Sequence, residues 1–201
     1  MNCWKVKKLQ AQNFRNLGND VFNFSKGINC IFGQNGNGKT NLLEAVYLLT
    51  NKKSFRKNTS YSQMINIEGE SPEIIIQSVF ENDETLASYS LRMTDDLEER
   101  YLNNTYEKSK PISSSVFINP FDSYSFHTSS TFRRQWFDSH LSLIDKEFKQ
   151  TLSKFQKAIR FRNSVLGMGG KNTSTQLRAI DEQVSEYSSF ITQKRFEFLQ
   201  D

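Results

Sequence analysis

Residues 33–40 read Gly33-Gln34-Asn35-Gly36-Asn37-Gly38-Lys39-Thr40 and match the phosphate-loop pattern G-x-x-x-x-G-K-[ST] at every fixed position. Such a loop sits between a strand and a helix, and both flanks have that character. Ile28 to Phe32 is a short apolar run, expected to be a buried strand. Leu42, Ala45, Val46 and Leu49 recur at helical spacing, in a helix expected to end near Asn51. A polyphosphate needs many donors at close range, and successive backbone N–H groups in a tight glycine turn supply them. Side chains at Gly33, Gly36 or Gly38 would block that approach or forbid the backbone angles. The helix N-terminus adds orphan N–H groups and a favourable dipole. Lys39 is expected to reach the β- and γ-phosphates, and the Thr40 hydroxyl to ligate Mg²⁺. A glycine-rich turn that binds nothing is the alternative. Chance gives this pattern in on the order of one chain per hundred of this length.

Composition narrows the class. The chain has 201 residues, 13% of them aromatic, including seventeen Phe, which is enough for one substantial domain or a domain plus an appendage. No apolar run approaches the roughly 20 residues needed to span a bilayer, so no membrane association is expected. Met1 to Lys8 mixes charges into its apolar positions and does not read as a signal peptide, which implies a cytoplasmic protein. Cys3 and Cys30 both fall in expected strands and read as buried free thiols. His127 and His140 have no partners at metal-ligand spacing. The net charge is +4, with the basic residues bunched: Lys5, Lys7 and Lys8; Lys52, Lys53, Arg56 and Lys57; Arg133 and Arg134; Lys154, Lys157, Arg160 and Arg162. Taken alone, each bunch is more often a solvated face than a nucleic-acid contact.

Two regions differ in character. Residues 3–12 and Val21 to Phe24 read as strands, and Lys52 to Glu70 as an irregular connection. Glu73 to Phe80, Leu86 to Met93, Arg100 to Asn103 and Ser115 to Asn119 read as short strands close enough for hairpins, hence an antiparallel sheet. Past about Thr131 the pattern turns helical. Phe148, Leu152, Phe155, Ile159 and Leu166 share one stripe, Gly167 to Gly170 break it, and Thr173 with Gln176 offers a capping box. Leu177, Ile180, Val184, Tyr187, Ile191 and Phe198 form a second stripe. A helical hairpin, a coiled-coil arm and packing against the ATPase body all fit these stripes. The expected division is residues 1–130 for an ATPase head and 131–201 for a helical lobe.

The succession of pieces resembles RecF-type recombination ATPases along nearly the whole chain. Asn13-Phe14-Arg15-Asn16 resembles the family's opening segment. Gly33 to Leu49, with Asn35 and Thr40-Asn41-Leu42-Leu43-Glu44-Ala45, is similar to its phosphate loop and helix. Ser54-Phe55-Arg56 resembles the basic segment that follows, and Asn119-Pro120-Phe121-Asp122 falls where the family shows Ser-Pro-Glu-Asp. Arg133-Arg134-Gln135-Trp136-Phe137-Asp138 and Arg162-Asn163-Ser164-Val165-Leu166 resemble later family blocks. Asn119 and Phe121 depart from the usual Ser and Glu, and Thr128 and Ser130 from Gly and Pro. No match to the family's Ser-Gly-Gln signature loop or its paired-Asp Walker B strand occurs, so the chain looks like the N-terminal part of such a protein.

The resemblance implies an α/β P-loop NTPase of the ABC/SMC head type: a mixed sheet plus an antiparallel subsheet, followed by a helical hairpin lobe. It implies ATP with Mg²⁺, an ATP-induced homodimer, and a weak DNA-stimulated ATPase in the intact family. It also implies binding to duplex DNA and to single-strand/duplex junctions, work with other recombination-mediator proteins, and a place in DNA repair, replication and the SOS response. Arg15 and Asn16 are placed near the nucleotide, and Lys52, Lys53, Arg56 and Lys57 are candidate DNA contacts. Arg133 and Arg134 fit an ion pair with Asp122 or Asp138. Two rivals are another SMC-like or ABC-type DNA ATPase and a free-standing small-molecule kinase. The hairpin-forming strands of residues 73–119 oppose the kinase, which needs strand and helix in alternation.

Overall fold

The computed structural model describes residues 4–56, 58–69, 71–83, 85–106, 113–168 and 173–200. Its contacts divide the chain into two units, Met1–Phe117 and Ile118–Asp201. The helix over residues 120–128 therefore groups with the helical unit, ahead of the boundary expected near residue 130.

In the first unit, β1 (Lys5–Gln12), β2 (Val21–Asn23), β3 (Ile74–Glu81), β4 (Leu86–Met93), β5 (Glu98–Leu102) and β6 (Thr105–Tyr106) form one sheet in the order β2-β1-β3-β4-β5-β6. Every pairing is antiparallel. Alternate residues point to opposite faces of a strand, and the pattern here is clean. Ile74, Ile76 and Phe80 of β3 and Ala87, Tyr89, Leu91 and Met93 of β4 are buried, joined by Leu9 and Ala11 of β1. Helix α1 (Lys39–Asn51) supplies Leu42, Ala45, Leu48 and Leu49 to the same core. The connection after α1, expected to be irregular, contains a single helical turn, α2 (Tyr61–Met64), whose Met64 is buried.

Two expected strands do not form. Ile28 to Phe32 is not a strand, and Ile28 and Phe32 are each 92% exposed. A strand exists through its ladder, and both neighbours of β1 are already β2 and β3. No described strand pairs with this apolar run, so the parallel component of the expected mixed sheet is not formed. Cys30 is accordingly exposed; Cys3 lies outside the described residues. Ser115 to Asn119 is likewise not a strand. The Asn51 side chain holds it instead, donating to Ser115 O at 2.6 Å and accepting from Ser115 N at 3.2 Å.

The second unit contains α3 (Pro120–Thr128), α4 (Ser130–Ile144), α5 (Lys146–Met168) and α6 (Thr173–Gln200). Leu141, Phe148 and Ile191 form its buried centre, with Leu152, Phe155, Phe190 and Phe198 packed around them. The stripes expected on α5 and α6 thus meet each other in a hairpin. One position differs: Val165 is buried while Leu166 is 50% exposed. The break at Gly169 and Gly170 and the Thr173 side chain lie outside the described residues.

Arg100 on β5 is 3% exposed and closes the C-terminus of α1, donating to Leu48 O and Leu49 O at 3.2 Å each. Terminal carbonyls of a helix need such partners, and a cation there suits the dipole. Replacing Arg100 with Met removes the donor at Leu49 O and leaves Leu48 O with the Lys52 N–H alone. The expected loss is about 2–3 kcal/mol, read as a lower urea midpoint by circular dichroism.

Candidate nucleotide site

The site is built outward from Asn13-Phe14-Arg15-Asn16 at the exit of β1. Asn13 and Arg15 take left-handed backbone, with φ of 53° and 51°, a conformation that persists only where surroundings hold it. The Asn13 side chain donates to Glu73 O at 3.0 Å, and Arg15 N donates to Met64 O at 2.6 Å. Phe14, fully buried, anchors the turn and bridges to Ile65. This leaves Arg15 and Asn16 free to reach α1 and the glycine loop.

Arg15 grips Glu44 of α1 with both ends of its fork, Nε to Oε2 at 2.6 Å and Nη2 to Oε1 at 2.8 Å. Its third nitrogen, Nη1, donates to Gln63 O at 2.8 Å. Glu44 is fully buried. It also accepts from Ser54 Oγ at 2.6 Å and lies 3.3 Å from Arg56 Nε. Arg56 Nη2 donates to Asn41 Oδ1 at 2.6 Å, Asn41 Nδ2 donates to Asn16 Oδ1 at 2.6 Å, and Asn16 Nδ2 donates to Gly36 O. A continuous chain of polar contacts therefore runs from a buried carboxylate to the backbone of the glycine loop.

The loop has the required shape. Gly33, Gly36 and Gly38 have φ of 151°, 91° and 80°. A Cβ on Gly38 would stand 2.9 Å from Leu17 Cδ2 and 3.0 Å from Asn16 Oδ1, so backbone strain and space both exclude a side chain. Gly33 to Asn37 are exposed, with Gln34, Asn35 and Asn37 between the glycines. Lys39 Nζ folds over the loop, donating to Gly33 O at 2.8 Å and Gln34 O at 2.7 Å. Thr40 is exposed in the first turn of α1, and no side chain caps that helix. Orphan N–H groups, a glycine turn and an ammonium thus converge, as a polyphosphate requires. A cavity of about 520 Å³ is lined by Arg15, Asn16 and Asn41 together with Asn66, Ile67 and Glu68. Among the described residues no cluster of three His, Cys, Asp or Glu side chains stands ready for a metal. A Mg²⁺ ion here would depend on Thr40 and on phosphate oxygens.

The structure brings Arg15, Asn16 and the glycine loop together and sorts the basic segment after α1. Lys52 caps α1 with left-handed backbone, φ 59°, its N–H donating to Leu48 O at 3.1 Å. Lys53 is exposed. Arg56 is committed to Glu44 and Asn41, and Lys57 lies outside the described residues. Phe55 stacks on Phe117 at 3.8 Å with Tyr47 edge-on to both, and burial pushes the Tyr47 phenol pKa up.

Neither Arg133 nor Arg134 pairs with Asp122 or Asp138. Arg133 donates to Phe126 O and Arg134 to Thr131 Oγ1. Asp138 is taken by Arg195, from Nε and Nη2 at 2.9 Å each, and Asp122 closes a capping box with Asn119 at the start of α3. The Asn119 departure therefore has a structural use in the capping box with Asp122, legible as N-x-x-D with Pro120 at the first helical position. Glu44 was not singled out from the sequence. Its signal is an acidic residue on the apolar face of α1, beside Leu48.

Comparison with known proteins places this geometry in a class. The family model described as an AAA domain matches residues 8–199, and the chain belongs to that family. Its fold is that of an ABC/SMC-type P-loop ATPase.

Within that class the chain is similar to DNA replication and repair protein RecF. It is 31% identical to RecF of Bacteroides thetaiotaomicron over 98% of this chain and 54% of the relative. RecF of Bacillus cytotoxicus is also 31% identical, over 96% of this chain and 52% of the relative. Solved structures described as the recombination mediator protein RecF-ATPrS and RecF-ATP in the RecFOR pathway superpose with TM-scores of 0.82 and 0.80. Each is 26% identical and covers 99% of this chain and 55% of the other. The chain spans about half the length of the curated relatives it matches. No described helix is long and apolar enough to cross a membrane.

Glu44→Ala removes the shared acceptor of two guanidinium groups and leaves Arg15, with its side chain 13% exposed, uncompensated. The expected loss is about 3–5 kcal/mol. Glu44→Gln, which keeps shape and one acceptor, should lose less. Equilibrium urea unfolding separates the two, and equal stabilities would contradict the hub.

Proposed function

We propose that this chain carries the ATP-binding machinery of a RecF-like ATPase that acts on DNA in recombinational repair and replication. The single observation that carries the reading is the uncapped N-terminus of α1 behind the glycine turn, with Lys39 folded over it. In this reading Gly33 to Thr40 hold the phosphates, Thr40 holds Mg²⁺, and the cavity beside Arg15 and Asn16 takes the nucleoside end. Arg15 acts through Glu44 and Asn16 through the loop carbonyl, so both position the cradle. ATP, when bound, supplies the link between two copies in an ATP-induced dimer. That dimer engages duplex DNA and single-strand/duplex junctions together with other recombination-mediator proteins, in the cytoplasm. Within the basic segment after α1, a DNA contact would fall to Lys53, because Arg56 is held internally.

Phosphate affinity concentrated on one ammonium and one glycine turn gives a sharp test. Lys39→Ala should abolish ATP binding measured by calorimetry in the presence of Mg²⁺ while leaving the urea midpoint unchanged. Undiminished ATP affinity in that variant would refute the reading. The 201-residue chain should bind Mg-ATP with little turnover, since among the described residues no cluster of three His, Cys, Asp or Glu side chains stands ready to hold the metal and orient water; phosphate-release assays check this.

A further inference from the structure

The basic character of the chain is concentrated in one helix. Helix α5 holds Lys146, Lys149, Lys154, Lys157, Arg160 and Arg162 against a single acid, Glu147. That is a surplus of five, whereas the whole chain has a surplus of four, so all other residues together are net acidic. Neighbouring α6 carries more acids than bases.

At 3.6 residues per turn, Lys146, Lys149, Lys157 and Arg160 fall on one side of α5, with Ser153 and Ser164 between and beyond them. All four are exposed, and none is ion-paired with a described residue. Arg162, off this stripe, is the member of the helix paired to Asp181 of α6, at 2.6 Å. The opposite side of α5, through Phe148 and Phe155, is packed within the unit. With its apolar face occupied, α5 has no large apolar surface to insert into a lipid interface, as a membrane-lying helix must.

Spacing singles out the partner. Lys146 and Lys149 form one cation pair, and Lys157 and Arg160 a second. The facing members, Lys149 and Lys157, are about 12 Å apart at 1.5 Å per residue. The major groove of duplex DNA is about 12 Å wide, with a row of phosphates on each wall.

We propose that α5 is a duplex-DNA docking surface that lies across a major groove, its two cation pairs each neutralising phosphates on one strand. The proposal rests on the nucleic-acid part of the function proposed above. It moves the main contact from the segment after α1 to the second unit. The contact is sequence-independent.

Fluorescence anisotropy of the whole chain on a 30-base-pair duplex, titrated with salt, tests it. Each phosphate neutralised contributes about 0.9 to the slope of log affinity against log salt. Lys146→Gln with Lys149→Gln, and separately Lys157→Gln with Arg160→Gln, should each flatten the slope by about 1.8, and the two pairs together by about 3.6. Single-stranded DNA of equal phosphate count should bind more weakly. All four sites are exposed helix positions, and an unchanged urea midpoint and ATP affinity confirm the fold. Duplex binding with an unchanged slope in the fourfold variant overturns the stripe and leaves DNA binding as such intact. ATP binding without any duplex binding overturns the stripe and leaves the nucleotide reading standing. Affinity for anionic phosphatidylserine vesicles but not for duplex overturns it in favour of a membrane.

Discussion

A carboxylate without exposed surface must find its neutralising partners inside the protein, and Glu44 finds them in three stretches of chain. Arg15 comes from the exit of β1, Ser54 and Arg56 from the segment after α1, and Glu44 itself from the middle of α1. The ion pairs fix how the helix behind the glycine turn sits against the sheet. Asn41 and Asn16 extend the same network to the loop backbone at Gly36. The phosphate loop is therefore held from beneath by polar contacts and from the side by Leu17 against Gly38.

This arrangement explains the work of Asn13-Phe14-Arg15-Asn16. Phe14 fills the core, the left-handed backbone at Asn13 and Arg15 turns the chain, and Arg15 and Asn16 secure helix and loop in turn. Arg15 has each of its guanidinium nitrogens engaged with protein acceptors.

Much of this was legible in the residues. The glycine pattern located the loop, helical spacing gave α1 its end at Asn51, and alternation gave β1, β3 and β4 within a residue or two. Ile28 to Phe32 misled because an apolar run records a tendency to be covered and cannot say whether a neighbouring strand is there. Ser115 to Asn119 misled similarly: the Ser115 backbone groups are taken by Asn51, a side chain that no strand pattern anticipates. Glu44 was hidden because its partners lie 29 residues before it and 10 after it in the chain. Charge bunching named Lys154, Lys157, Arg160 and Arg162 together, yet only the helix separates Arg162, paired to Asp181, from the exposed stripe.

The central claim is that the turn at Gly33 to Thr40 is a preorganised polyphosphate cradle. Calorimetric affinities of the chain for ATP, ADP and AMP, each with Mg²⁺, test it most directly. The cradle predicts that affinity falls with every phosphate removed and that AMP binds negligibly. AMP binding as tightly as ATP would mean that recognition lies in the nucleoside, and would contradict the account.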